Sequence, residues 1–348
     1  MPGKYKLFAM QTPDDATLAY LGLTPDDILT AVESLGYRCD GRFLALNSYE
    51  NRVYRIGIED AHPIVTKFYR PKRWTNDAIV EEHQFSIELA ARDVPVVTPH
   101  EHNSTTLHCH GIFRFALYPY HGGRTPELDD MNLLHQIGRL VARLHLVGQT
   151  EDFASRPTLD VESFGLRSRD YLLENHFIPP DIEPAYTSTC ELIFEGIARC
   201  YELAGSPRFI RLHADFHPSN VLVDRDVVHI VDLDDARMGP AIQDLWMFLS
   251  GHREEQTPQL EELLTGYTEF NEFDPRELHL VEALRTLRIM HYAAWIARRW
   301  QDPAFQRAFP WFDNRRYWDE HVLTLREQVA LMLEAPLEWR VTGNRGTF

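Results

Sequence analysis

Asp215 and Asn220 lie five residues apart in Arg211–Asp235, RLHADFHPSNVLVDRDVVHIVDLDD, and Asp232 comes near the end of the same stretch. His213 precedes the first acid and His217 follows it. Val221–Val223 and Val227–Val231 are apolar, β-branched runs, and the polar Asp224-Arg225-Asp226 between them predicts a hairpin. A hairpin folds back on itself, so Asp232, just past its second strand, returns beside Asn220, just before its first. An amide and a carboxylate are hard oxygen ligands. They suit Mg²⁺, which is held by one or two carboxylates together with substrate phosphates. Asp215 stands apart from that pair, spaced to meet a hydroxyl, as phosphoryl transfer requires. A polar loop beside an ordinary hairpin would explain one carboxylate, but it explains this constellation less well.

A second group lies far upstream. Lys67 sits inside Val65-Thr66-Lys67-Phe68-Tyr69, an otherwise apolar strand. A buried, unpaired ammonium is expensive, so Lys67 needs an anion unless the strand is an edge and the side chain points to water. Glu81, Glu82 and Glu88, on a helix expected over 76–92, are the candidate partners. Before Lys67 comes the polar turn Asn47-Ser48-Tyr49-Glu50-Asn51. Backbone N–H groups and a hydroxyl in such a turn can lie over phosphates. The turn has no glycine and no G-x-G-x-x-G, so alone it reads as a plain hairpin turn.

The elements that must position these residues follow from local pattern. Thr24-Pro25-Asp26-Asp27 starts a helix that Gly36 ends, and residues before about 24 read as polar and loosely held. Strands are expected over 42–46, 52–58, 63–69 and 112–117, and from Pro126 the pattern turns helical. Leu133, Leu134, Ile137, Leu140, Val141 and Leu144 recur at helical spacing, with His145 beside them as a packed, supporting histidine. Residues 150–185 read as loops with short helices, and 189–204 as an amphipathic helix. A helix starts over 239–246, and another runs over 270–300. His108 and His110 share a strand face, but they find no fourth ligand at metal-site spacing. The tail gathers Trp300, Phe305, Phe309, Trp311, Phe312, Tyr317 and Trp318 into a packed aromatic cap.

The bulk properties exclude several classes. The 348 residues are 44% hydrophobic and 25% charged, ordinary for a globular chain long enough for two lobes. With 52 acids against 35 bases the formal charge is −17, which disfavours nucleic acid and anionic membrane as partners. Four cysteines without a Cys-x-x-Cys pair suggest free thiols in a reducing compartment. Neither a signal peptide nor a membrane span is expected. A cytoplasmic monomeric enzyme fits these readings.

His213-x-Asp215-x-x-x-x-Asn220, the hairpin and Asp232 resemble the catalytic core of the aminoglycoside phosphotransferase and choline kinase branch of the protein-kinase-like fold. The resemblance sharpens at Leu46–Tyr54, Lys67–Pro71 with Arg73-Trp74-Thr75, Val231–Arg237, Gly239-Pro240 with Gln243–Trp246, Asp302–Phe305 and Phe309-Pro310-Trp311. Over roughly 25–330 the chain is similar to the bacterial stress response kinase A family. That resemblance implies an α+β, bilobal protein-kinase-like fold: a β-rich nucleotide lobe over 1–120 and a mainly helical catalytic and acceptor lobe over 121–348. It implies an ATP- and Mg²⁺-dependent serine/threonine protein kinase linked to stress survival, with a small-molecule kinase as the alternative. A small acceptor would be an aminoglycoside, homoserine or choline-like compound. By the same resemblance Asp215 is the catalytic base, Asn220 and Asp232 hold the metal, Ser48 covers the phosphates, and Lys67 meets them while paired with Glu82. Glu81 stays open as the partner instead. Residues 118–124 would be the hinge that meets adenine, and Asp244 would brace the catalytic loop through backbone N–H groups. Ala214 stands where glycine is commoner, and a positive φ there would be strained. No Arg precedes Asp215, which removes the electrostatic basis for control by a phosphorylated loop. Asp232-Leu233-Asp234 replaces Asp-Phe-Gly, so a constitutively assembled site is expected.

Overall fold

A computed structural model describes residues 20–225 and 227–339. Most of the segment expected to be loose, and Asp226 of the hairpin turn, lie outside them. Helix α1 (Pro25–Glu33) begins in a capping box: Thr24 Oγ1 accepts from the Asp27 amide, and the Asp27 carboxylate accepts from the Thr24 amide at 2.9 Å. Its buried Ile28, Ala31 and Val32 pack on an antiparallel sheet made of β1 (Cys39–Ala45), β2 (Arg52–Ile58), β3 (Ile64–Phe68), β4 (His108–His110) and β5 (Phe113–Pro119). The spatial order is β1-β2-β3-β5-β4. Strand β3 is therefore central, and Lys67 stands between Val53 and Ala116. The edge-strand explanation of Lys67 is thereby removed. Helix α2 (Asn76–Ala91), capped by Thr75, connects β3 to β4.

Beyond the sheet the chain is mainly helical: α3 (Met131–Gly148), α4 (Arg167–Glu174) and α5 (Glu183–Ala204) precede the stretch 209–246. That stretch holds β6 (Phe209–Leu212), β7 (Val221–Asp224), β8 (Val227–Ile230), β9 (Arg237–Pro240) and α6 (Gln243–Trp246). Then come α7 (Arg253–Tyr267), α8 (Val281–Arg298), α9 (Pro303–Ala308) and α10 (Arg315–Leu333). Helices α3 and α7 approach closely at two glycines. A Cβ on Gly138 would meet the Leu263 carbonyl oxygen at 2.0 Å, and one on Gly266 would meet that of His135 at 2.1 Å.

Two expectations need correction. Arg237–Pro240 is a strand, paired antiparallel with β6, rather than the lead-in to a helix. Tertiary pairing overrides a local pattern that looked like a helix start. The helix expected over 270–300 begins only at Val281: Asp274 caps a tight turn of helix over Pro275–Leu280, and α8 follows it. Pro275 fits the first position of a helix but not its interior. Among the described residues no helix is long and apolar enough to cross a membrane.

Candidate active site

The hairpin is formed by β7 and β8, with Val221 opposite Ile230, and the Val231 amide donates to the Asn220 carbonyl at 3.1 Å. That pairing carries Asp232 back to Asn220. Asp232 itself is left-handed, at φ +61° and ψ +65°, so the chain turns sharply into a short helical turn over 233–235.

The loop before the hairpin is held from beneath. Asp244, fully buried on α6, accepts from the His213 amide at 2.9 Å and the Ala214 amide at 2.7 Å. The Gln243 side chain donates to the Ala214 carbonyl at 2.8 Å. His145 on α3 stands 3.3 Å behind Asp244 and is held in turn by the Tyr267 hydroxyl at 3.0 Å. Ala214 has φ +66°, the left-handed region that costs a non-glycine residue about 1–2 kcal/mol. Two hydrogen bonds on its own peptide groups, with a third on the His213 amide, keep it there.

Asp215 emerges from this braced loop. The Asn220 side-chain N–H₂ donates to the Asp215 carbonyl at 2.9 Å, which leaves the amide oxygen as its donor atom for a cation. The Asp215 carboxylate lies 3.5 Å from His217 Nε2 and is bound by the Arg288 guanidinium of α8. Burial pushes its pKa up, but the His217 contact and Arg288 outweigh burial and hold it below the usual range. It is therefore a carboxylate at neutral pH, the state that can accept a proton.

Lys67 reaches this cluster from the sheet. Its ammonium lies 2.8 Å from Asp232 Oδ1 and 3.3 Å from Asp234 Oδ1. Burial opposes its charge, yet the two carboxylates outweigh burial and raise its pKa. Lys67 is therefore charged. The expected Lys67–Glu82 ion pair is not made. Two better placed aspartates compete for one ammonium, and Glu82, buried with no hydrogen-bond partner at Oε2, is pushed up to about 7, mainly by burial. Lys67 still lowers it from a distance. Glu81 points elsewhere: its oxygens accept from the Ala154 and Ser155 amides at 2.5 and 2.8 Å.

Half-buried Ser48 lies in the turn between β1 and β2, and its hydroxyl accepts from the Asn51 amide at 3.3 Å. This glycine-free turn is pinned on both sides. Asn51 donates to Asp234 at 3.0 Å and accepts from the Arg70 amide at 3.1 Å. Glu50 accepts from the Trp295 indole at 2.7 Å and from Arg299 at 2.8 Å, both on or just past α8, and pairs with Arg70 at 3.2 Å. Arg70 continues to Asp302 at 3.0 Å. Arg73 binds Asp234 and, at 2.8 Å, Asp235, which Arg237 also holds at 2.7 Å. Burial raises the pKa of Asp234, but Arg73 and Lys67 outweigh it and hold it at about 2. Segment 118–124 is fastened to the hairpin, with Arg124 and Val223 exchanging backbone hydrogen bonds at 3.0 and 2.8 Å.

The clasp residues Glu50, Asn51, Arg70, Arg73, Asp234 and Asp302 had no assigned role in the sequence, nor did Arg288. One signal was available: three acids crowded within Asp232–Asp235 call for cations beside them.

A sheet lysine facing a hairpin-end aspartate, beside a braced loop carrying another aspartate, is the arrangement of a kinase-fold phosphotransferase. Residues 42–281 match the model of the phosphotransferase enzyme family, and the chain belongs to that family. It is 42% identical over 326 residues to stress response kinase A of Escherichia coli (strain K12), covering 93% of this chain and 98% of that one. It is 39% identical over 325 residues to a Salmonella typhimurium protein named serine/threonine protein kinase RdoA, with the same coverage of both chains, 93% and 98%. The chain is thus a member of the stress response kinase A family, and a kinase. Solved structures share the aminoglycoside phosphotransferase and choline kinase-like fold. An amicoumacin kinase in complex with AMP-PNP, Ca²⁺ and Ami superposes with TM-score 0.69 at 17% identity, covering 90% of this chain and 95% of that one. A microcompartment-associated aminopropanol kinase superposes with TM-score 0.64 at 19% identity, covering 88% and 96%.

Proposed function

We propose that this chain transfers the γ-phosphoryl group of ATP, with Mg²⁺, to serine or threonine hydroxyls of proteins in a bacterial stress response. The observation that carries the reading is the meeting of Lys67, Asp232, Asn220 and Asp215 at one place. The acceptor hydroxyl oxygen bonds to the γ-phosphorus as the bond to the β–γ bridging oxygen breaks, and ADP leaves. Asp215 orients the hydroxyl and takes its proton. Lys67 steadies the α- and β-phosphates, with Glu82 behind it, and the Ser48 turn covers them. Asn220 and Asp232 hold Mg²⁺, which supplies charge neutralisation at the phosphate oxygens. Their oxygens suit it, and the Lys67 ammonium against Asp232 is a positive charge already at that position. In this reading the nucleotide lobe runs to about residue 120, and the enzyme is a cytoplasmic monomer that engages neither nucleic acid nor membrane. The name of the RdoA relative favours protein acceptors.

A small hydroxylated acceptor is the second reading, favoured by the compounds in the names of the solved relatives. One assay separates the two. Incubation with γ-labelled ATP and Mg²⁺ should label serine or threonine in a generic protein acceptor or in the chain itself. Label confined to a panel of aminoglycosides, homoserine and choline would overturn the protein-kinase reading.

A further inference from the structure

Arg288 sits on α8 with its guanidinium on Asp215 Oδ1, the carboxylate that meets the acceptor hydroxyl. Its position is unlike that of the other arginines around the site. Arg156 and Arg237 are buried and Arg73 is mostly covered, and each is tied to two or more partners. Arg288 is about one-third exposed, and among the described residues Asp215 is its one ion-pair partner. A guanidinium has five N–H donors in a planar fork that matches a carboxylate edge-on, and the Asp215 contact is made by Nη1 alone. Arg288 also lies beyond residues 42–281, the part matched by the general family model.

The surroundings point the same way. One helical turn further along α8, about 6 Å, Tyr292 is exposed and stacks on Trp295 with centroids 5.7 Å apart. Exposed Tyr49, from the Ser48 turn, packs on Phe309 at 5.0 Å, and exposed Trp311 lies 5.8 Å from Phe309. The acceptor approach is therefore a cation beside Asp215 followed by an aromatic shelf. The acidic groups near it are all already paired with cations: Asp215 with Arg288, Asp235 with Arg73 and Arg237, Glu50 with Arg70 and Arg299, and Asp232 with Lys67. A cationic acceptor would meet Arg288 at the point of reaction. A carboxylate would meet a complementary fork.

We infer that Arg288 is a specificity-determining residue that selects acceptors carrying a carboxylate next to the reacting hydroxyl, such as a serine or threonine flanked by an acidic residue. The inference rests on the phosphotransfer reading above and names the acceptor chemistry for it. The acceptor carboxylate takes over the guanidinium, and Asp215 Oδ1 is freed to receive the hydroxyl proton. Recognition and release of the base are then one event.

The test uses the full chain, Mg²⁺ and γ-labelled ATP with two matched pairs of acceptors. One pair is a serine peptide with Glu beside the serine and the same peptide with Gln. The other is homoserine and homoserinamide. Wild type should prefer the Glu peptide in kcat/KM by about tenfold, as expected for one charge-assisted hydrogen-bonded pair. Arg288→Gln should bring the ratio to about one, and Arg288→Lys should keep part of it, as a point charge without the fork. The ratio is insensitive to a general loss of folded enzyme, which lowers both rates together. Equal rates with both members of each pair in wild type, or an unchanged ratio in Arg288→Gln, would overturn the inference while leaving phosphotransfer standing. Label only in the homoserine pair, with homoserine preferred, would support it and move the acceptor to small molecules. No label in any acceptor would overturn the transferase reading and this inference with it.

Discussion

Lys67 Nζ and Asp232 Oδ1 lie 2.8 Å apart although 165 residues separate them in the chain. This pair ties the central strand of the sheet to the end of the hairpin, and so sets Lys67, Asp232, Asn220 and Asp215 around one space. Asp232 is half-exposed, whereas Lys67 is almost wholly buried. The aspartate is thus the partner that can face a ligand. Asp232→Ala should therefore weaken nucleotide binding mainly through its Mg²⁺ dependence. ATP titrations with and without Mg²⁺ should differ clearly for wild type and scarcely for the variant. A Mg²⁺ response of wild-type size in the variant would remove Asp232 from the metal site.

Glu82 gives the fold a pH response. Its folded pKa, pushed up mainly by burial, is about 7, against an ordinary value of 4.5. A raised pKa means that the fold favours the protonated form. Its stabilising contribution is full below pH 4.5 and is lost as pH rises through 7. Glu277, also raised to about 7, adds the same trend. The thermal midpoint should fall between pH 5 and pH 8, and Glu82→Gln should flatten that fall without abolishing it. A variant whose midpoint tracks wild type across the range would show that Glu82 does not titrate there.

Arg73 should matter to stability more than an ordinary surface arginine does. Its removal leaves Asp234 and Asp235 with less compensation in a buried setting. Breaking a buried pair from one side costs about 3–5 kcal/mol. Since Lys67 and Arg237 remain, Arg73→Ala should lose about 3 kcal/mol, at the low end. Urea unfolding measures it. A change within about 0.5 kcal/mol, typical of surface positions, would contradict the clasp.

The brace under the catalytic loop predicts a paired effect. Asp244→Ala orphans the buried His213 and Ala214 amides, at about 1–3 kcal/mol for each unsatisfied group. It also frees the strained Ala214 to relax and so displaces Asp215. Stability and kcat should both fall, with Asp244→Asn intermediate because it keeps an acceptor oxygen. Unfolding curves and turnover on the same preparations decide. Full kcat in Asp244→Ala would show that Asp215 does not need the brace.

Much of this arrangement was readable in the chain because its causes are local. The two β-branched runs and their polar turn dictate the hairpin that returns Asp232 to Asn220. A lysine in an apolar strand demands an anion, and Ala214 marked a possible strained φ before +66° was seen there. Asp244 beneath the backbone amides of the loop, like the glycine commoner at Ala214, was implied by the family resemblance rather than by local pattern. What local pattern does not contain is competition between distant partners. Lys67 chooses Asp232 and Asp234 over Glu82 because those carboxylates arrive from a segment far along the chain. Arg73 meets Asp234 across 161 positions, a pairing that leaves no periodic trace. Strand β9 was hidden for the same reason, since only its pairing with β6 makes Arg237–Pro240 extended.

The central claim is that the Asp215 carboxylate takes the acceptor proton. The most direct test is phosphoryl transfer by Asp215→Asn at saturating Mg²⁺ and ATP, alongside nucleotide affinity measured on the same protein. Transfer should fall by about 10²–10⁴-fold, with affinity close to that of wild type. Transfer at the wild-type rate would contradict the account.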